Sequence, residues 1–457
     1  MGESRTDPEV DVARLLRDLP AVDQLAAAIE ERQDVARQWA LRAARQVLHQ
    51  RRSGLKDGSD TRGAEDIVSA AAQQALKLSR PSLRRVINAT GVVLHTNLGR
   101  APMNQEAAQA AAEIAAGYST LELDLETGER GSRRDHIEDL FSELTGAEAA
   151  FAVNNNAAAV TLALAATSAG KEVIVSRGEL VEIGGSFRVP EILEQSGARL
   201  VEVGTTNRTR IGDYEDAVSP DTAAILRVHQ SNFRTVGFTE AASMEELALL
   251  SGARGLTLIE DLGSGAIEPI KDEPTIKESV RAGVDLVCAS ADKLMGGPQA
   301  GIIAGKRAAV QPCTRHPLAR AVRIDKLQLA ALEATLRLYF TQGPNAIPAV
   351  AMLHATDEDL HADASKIAEM IGPAASVSRG ISAVGAGSLP TTDFEGAVCL
   401  IDPTPMNCDG LLTSLRDREV PIIARISNGR VLIDPRTLLP GEAQMVSDGI
   451  NEVLTRK

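Results

Sequence analysis

The chain has 457 residues, 62 acidic against 48 basic side chains, a net charge of −14, and only seven Phe, three Tyr and one Trp. That length supports a large core in two or three domains, and the 44% apolar content excludes a disordered, collagen-like or disulfide-scaffold chain. Taken over the whole chain, the acid excess argues against a polyanionic partner.

The first 90 residues depart from this average, with 15 basic and 13 acidic side chains, a net of +2 that leaves −16 for the remainder. From Arg32 to Lys56 the basic residues Arg32, Arg37, Arg42, Arg45, Arg51, Arg52 and Lys56 stand against one acid, Asp34. A solvated helix face explains such a run as well as a binding surface does. The opening MGESRTDPEVD carries no apolar signal core. No apolar run reaches the roughly 18–20 residues that span a bilayer. Val22, Leu25, Ile29, Val35, Trp39, Ala43 and Val47 recur at helical spacing, which predicts one helix over 20–50. A polar, Gly-containing linker over 53–63 and a second helix over 64–79 follow.

From about 150 the pattern becomes strand, loop, helix, repeated. Strands are expected at Ala150–Val153, Glu172–Ser176, Arg199–Val203, Ala223–Val228, Leu256–Glu260, Asp285–Ala289 and Gly301–Ala304. Alternation of this kind predicts an α/β fold with a seven-stranded, mostly parallel sheet. Residues 325–340 read as a long connecting helix. A smaller α+β domain follows, with strands at Ala397–Ile401 and Arg430–Ile433. The four cysteines have no metal-ligand spacing and form no disulfide framework, and the seven His are scattered. No metal site is expected, and a reducing cytoplasm is the expected compartment.

Ligands of such sheets sit at the carboxyl ends of the strands. After the first strand come Asn154, Asn155, Asn156 and Ala157, opening an apolar helix whose free N–H groups suit a phosphate. An ordinary Asn N-cap reads the same way. After the fifth strand comes Asp261, and a carboxylate there is costly unless paired. Ser290 ends the sixth strand and leads to Lys293 in a small-residue loop. Lysine is scarce, with none between Lys171 and Lys271, so Lys293 is poor surface decoration. Phosphate cradle, strand-end Asp and strand-end Lys are together what pyridoxal 5′-phosphate requires: Lys293 for its aldehyde, Asp261 for its ring nitrogen, and Asn155, Asn156 and Ala157 for its phosphate. His229, after the fourth strand, is a candidate to bond or stack on the cofactor, or is merely structural. Glu179 and Glu182 are candidates of the same kind. Arg320 and Arg323 are three apart, so a helix would put them on one face suited to a tetrahedral oxyanion. Arg100 is a third such cation.

RRVINATGVVLHTNLGRAP (84–102), SRGELVEIGGSFRVPEI (176–192), RVHQSNFRTVGFTE (227–240), EDLGSG (260–265), ADKLMGGPQAGIIAGK (291–306) and HPLARAVRIDKL (316–327) together resemble the bacterial selenocysteine synthases, the L-seryl-tRNA(Sec) selenium transferases. The resemblance runs from 84 to the C-terminus, and before that it rests on size and helical character. It implies a fold-type I pyridoxal phosphate transferase. The implied domains are a tRNA-binding helical domain over 1–65, a linker helix over 66–83, a catalytic domain over 84–340 and a small α+β domain over 341–457. It implies Lys293 as the residue that binds the cofactor covalently and Asp261 as the partner of the pyridine nitrogen. Arg100, Arg320 and Arg323 fall on positions that hold a selenophosphate-like anion. The implied reaction replaces the seryl hydroxyl on tRNA(Sec) with selenium from selenophosphate, in a ring of dimers, a homodecamer, with no membrane. The competing readings are a small-molecule pyridoxal phosphate lyase or aminotransferase, disfavoured by the basic N-terminal head, and a non-catalytic RNA-binding protein, disfavoured by an intact Lys293 and Asp261.

Overall fold

Apolar periodicity in the first 85 residues builds a helical unit. The computed structural model describes residues 8–57, 64–183, 187–230, 233, 235–389 and 392–455. Residues 1–85 and 86–457 are two compact units. The first holds α1 (Pro8–Arg17), α2 (Val22–Arg32), α3 (Arg37–Asp57) and α4 (Ala64–Ser79). Leu25, Ile29, Ala43, Val47, Leu48, Ile67 and Ala71 form its core.

The single helix expected over 20–50 is two helices. Gln33 is extended (φ −141, ψ 137) and ends α2, and the Arg37 guanidinium at the start of α3 donates to Glu30 at 2.8 Å. Splitting the stripe lets both halves bury their small apolar faces against each other. Ser53–Asp57 of the expected linker is the last turn of α3, and 58–63 lie outside the described residues. The helix read as a linker, α4, packs on α3, with Gln74 Nε2 donating to Gln46 Oε1 at 2.8 Å. Of the basic run, Arg42, Arg45, Arg52 and Lys56 are exposed, whereas Arg51 is turned inward at 4% exposure.

In the second unit the central sheet has seven strands: β1 (Ala149–Val153), β2 (Glu172–Ser176), β3 (Arg199–Val203), β4 (Thr222–Val228), β5 (Thr257–Gly263), β6 (Leu286–Ser290) and β7 (Gly301–Gly305). Their order is β1-β7-β6-β5-β4-β2-β3. All pairs are parallel except those of β7, which runs antiparallel to β6 and β1. Both faces are covered. Ile174, Ile225, Leu258, Val287 and Ile302 point into one core, while Val175, Leu226, Ile259, Leu286 and Ile303 point into the other with Leu162 and Leu164 of α5 (Asn156–Ser168). Double burial explains why these strands read as unbroken apolar runs rather than alternating ones.

A second sheet, β8 (Ala375–Ser382), β9 (Phe394–Ile401), β10 (Arg425–Ser427) and β11 (Arg430–Ile433), is antiparallel in the order β8-β9-β11-β10. Ile87–Asn88 pairs in parallel with Ile422–Ile423, so the first residues of this unit are tied to its end. No helix of the described residues is long and apolar enough to cross a membrane.

The start of α5 depends on a close backbone approach. A Cβ on Gly301 would lie 2.1 Å from the Asn155 carbonyl oxygen. We therefore expect Gly301→Ala to lower stability by about 1–3 kcal/mol through overpacking. Urea unfolding with an unchanged slope and a lower midpoint is the expected result.

Candidate active site

The carboxyl ends of β1, β4, β5 and β6 converge on one edge of the sheet. Asn155 caps α5, its Oδ1 accepting from the Ala158 N–H at 2.9 Å, so the N-cap reading holds for this residue. Asn156 reaches across the sheet edge instead, and its Nδ2 donates to Asp261 Oδ1 at 2.8 Å. The Asn154 and Asn156 Oδ1 atoms are buried and without hydrogen-bond partners among the described residues. Buried polar atoms in this state are groups that a ligand would satisfy.

Asp261 is 4% exposed and Lys293 is 6% exposed. Burial pushes the Asp261 carboxyl above the usual carboxylate range, against the hydrogen bond from Asn156 and the charges of Lys293 and His229. Burial and the Arg100 charge push the Lys293 ammonium down, against the charges of Asp261, Asp292 and Glu273. Both members of the pair are thus driven toward their neutral forms. A carboxylate in this state has room for one more cation, and an amine in this state is a better nucleophile toward a carbonyl.

The loop that carries Lys293 is tightly folded. Ala291 N–H donates to the Ala300 carbonyl at 2.9 Å, Gly297 N–H to the Ala291 carbonyl at 2.8 Å, and Leu294 N–H to the Ser264 carbonyl at 3.1 Å. Ser290 ends β6 opposite Gly301. Gly265, at φ +69, lets its backbone reach the Ser290 carbonyl, which a Cβ there would approach to 2.2 Å.

Arg100 follows a short 3-10 turn, Thr96–Leu98, and is a non-glycine residue at φ 66. Its Nη1 is 2.6 Å from Asp292 Oδ2, so it is tied to the residue next to Lys293. Both line a cavity of about 340 Å³ with Met103 and Gln299. The His229 N–H donates to the Asp261 carbonyl at 3.0 Å, and its Nε2 is 3.3 Å from Glu273 Oε1. It lines a larger cavity of about 490 Å³ with Glu179, Arg227 and Glu273. Glu179 is buried and accepts from Arg227 Nη1 at 2.6 Å and the Val228 N–H at 2.9 Å, a bracket between the β2 and β4 ends. Glu182 is exposed and pairs with Arg188 at 2.7 Å.

Arg320 and Arg323 do not share a helix face. The helix α6 (Pro317–Ala321) stops before Arg323. The Val322 carbonyl accepts from the Asn154 N–H at 2.8 Å, and Arg323 bridges Val153 at the end of β1. Pairing with a free strand end outcompetes continued helix here. Arg320 is exposed. Arg323 Nη1 is 3.0 Å from Glu122 Oε1 and lines a cavity of about 370 Å³ with Arg130 and Arg133. The described residues therefore bring Asn156, Asp261, Lys293, His229 and Arg100 to one edge, and place Arg323 in a separate cavity close to the α5 start.

Two acids at this edge were not singled out from the sequence. Asp292 had a signal, its place beside Lys293 in the loop. Glu273 had none, since KDEP reads as an ordinary polar turn. Residues 184–186, 231, 232 and 234 of two family-like stretches lie outside the described residues.

The chain is 47% identical over 457 residues to the L-seryl-tRNA(Sec) selenium transferase of Moorella thermoacetica, covering 96% of this chain and 97% of that protein. It is 42% identical over 465 residues to the same-named protein of Desulfomicrobium baculatum, covering 97% and 100%. Among solved structures, D-glucosaminate-6-phosphate ammonia-lyase matches in fold, with a TM-score of 0.58 at 24% identity over 81% of this chain and 96% of that one. The family model described as L-seryl-tRNA selenium transferase matches residues 86–439. With most of its length inside that model and two full-length relatives above 40% identity, the chain belongs to the L-seryl-tRNA selenium transferase family.

Proposed function

We propose that this chain converts seryl-tRNA(Sec) to selenocysteinyl-tRNA(Sec), using pyridoxal 5′-phosphate and selenium from selenophosphate. The observation that carries the reading is the buried Asn156–Asp261 bond beside Lys293, at the carboxyl edge of a family-matched sheet. These residues fit the cofactor. Asp261 lacks a full complement of cations, Lys293 is a buried amine with lowered proton affinity, and unpartnered amide oxygens stand at the α5 start. When bound there, the cofactor supplies an aldehyde and an electron-accepting ring.

The chain's own residues then divide the work. Asp261, oriented by Asn156, holds a proton at the pyridine nitrogen. The start of α5, with Asn155, Asn156 and Ala157, offers N–H groups to the phosphate. Lys293 Nζ would hold the cofactor's aldehyde, and the same amine is the base placed to hold the α-proton of the seryl group. Ser290 and Gly265 fix the loop under it. Arg100, kept in place by Asp292, is our candidate at this edge for the selenophosphate-like anion, while Arg320 is exposed and Arg323 lines a separate cavity. Arg42, Arg45, Arg52 and Lys56 give residues 1–85 an exposed positive face, which supports a tRNA-binding role. Tyr118, Leu125, Val236 and Phe238 are 76–108% exposed in the single chain, which supports association of copies of the chain; the assembly we propose is a ring of dimers, a decamer, in the cytoplasm.

Three outcomes test the reading. Purified protein turns over seryl-tRNA(Sec) with selenophosphate and not free serine; activity on free serine alone would replace this reading with the small-molecule lyase. Lys293→Ala abolishes the visible cofactor band and the transfer, and deletion of residues 1–60 abolishes tRNA binding while the band persists.

Asp261→Asn separates stability from function. Because burial raises its carboxyl above the usual 3.8, the folded chain holds that proton more tightly than the unfolded chain. Stability is therefore full below 3.8, falls as pH rises through the raised value, and stays lower above it. The neutral Asn removes this cost. The cofactor-free variant melts higher than wild type at neutral pH, yet retains pyridoxal phosphate at least about tenfold less well by dialysis, having lost a buried charge partner.

A further inference from the structure

The cavity beside His229 contains a buried carboxylate that none of the roles above uses. The Glu273 side chain is 1% exposed, and its Oε1 lies 3.3 Å from His229 Nε2. The two atoms are close without meeting hydrogen-bond angles, and that oxygen has no other hydrogen bond among the described residues. A buried carboxylate is costly without a cation or donor, and the imidazole is the group that faces it.

The backbone goes to some length to put Glu273 there. Ile270 and Glu273 form a bridge, with the Glu273 N–H donating to the Ile270 carbonyl at 3.0 Å. Inside this turn Lys271 is a non-glycine residue at φ 51. Its Nζ donates to the Asp393 carbonyl at 2.9 Å and sits 3.7 Å from the centre of the Phe394 ring. Strained conformations of this kind persist where the surroundings over-determine them, and they cluster at functional sites. At the other end of the contact, the His229 N–H is bonded to the Asp261 carbonyl. Glu273 also raises the proton affinity of Lys293. One buried acid thus bears on two residues of the site.

We propose that Glu273 is the positioning residue for His229: its buried carboxylate faces Nε2, keeps the imidazole in one orientation, and leaves Nδ1 as the nitrogen offered to an oxygen of the bound substrate or cofactor. The proposal rests on the reading of this edge as the transfer site. A carboxylate behind an imidazole fixes which ring nitrogen carries a proton and which way the ring faces. The other charges that bear on this imidazole are Asp261, Glu260 and Glu179, with Arg227 two residues back on β4 paired to Glu179. All of them are unchanged when only position 273 is varied.

The test is carbethoxylation of full-length protein by diethyl pyrocarbonate, which attacks neutral imidazole, read at the His229 peptide by mass spectrometry. Glu273→Gln removes the acid that faces Nε2 and accelerates His229 modification severalfold. Glu273→Asp keeps the charge and stays nearer wild type. Asp272→Asn, an exposed acid of the same cavity, leaves the rate unchanged. Equal rates in wild type and Glu273→Gln overturn the proposal, as does an equal acceleration by Asp272→Asn. Should Glu273→Gln accelerate every histidine, the protein has opened, and Glu273→Asp decides: a His229 rate near wild type supports the proposal, and one equal to that of Glu273→Gln overturns it. No arm uses tRNA, selenophosphate or turnover. A negative result therefore leaves the transfer reaction standing, and a failure of transfer leaves the His229 result to be read by itself.

Discussion

One buried carboxylate organises the catalytic unit. Asp261 lies two residues before the end of β5, in a strand covered on both faces, and burial alone favours its neutral form. The neighbouring structure answers that cost from three directions. Asn156 donates to it from the α5 start, and the charges of Lys293 on the β6 loop and of His229 at the β4 end both favour its ionised form. Each of these groups comes from a different strand end. The sheet register therefore has to be right for the charge to be tolerated at all, and close contacts such as Gly301 against Asn155 and Gly265 against Ser290 keep it so. Fold and site are not separable here: the same approach of backbones that packs the sheet also sets the distances between the reacting groups.

Much of this was legible in the residues. The central strands of the main sheet were visible because strands buried on both faces are continuous apolar runs, and such runs stand out from amphipathic helices, whereas the edge strand β3 is mostly not buried and carries only a short apolar stretch between charges. Lys293 and Asp261 were visible because each ends such a run, where ligands bind. What was not legible lies off the regular elements. The break at Gln33 occurs without Pro or Gly, and the pattern on either side continues in phase, so one helix and two look alike. Arg323 looked helical because local spacing carries no information about a strand end waiting 170 residues earlier. Glu273 gave no signal because its role depends on a turn held by Lys271 and Phe394.

The charge distribution also reads differently once it is placed. The whole-chain excess of acid includes Glu179, Glu260, Asp261 and Glu273, all buried in the second unit at 4% exposure. These four are not a repulsive surface. They are an internal set of acids around one edge, where they bias the protons of a lysine and an arginine. The outward field relevant to a polyanion is local, falling off within about 10 Å in physiological salt, and on residues 1–85 it is set by the exposed bases of α3.

The reversal of β7 has a mechanical meaning. Every other neighbouring pair of strands in the sheet is parallel, and parallel neighbours are joined by crossovers that leave and return at opposite edges. Between β6 and β7 the chain turns back at once, so the segment holding Lys293 enters and leaves through adjacent strands on the same side. It is clamped at both roots, like a short handle riveted to a plate. In the proposed reaction, the Lys293 side chain is thereby mounted on a connection held by the sheet at both ends and bonded within itself.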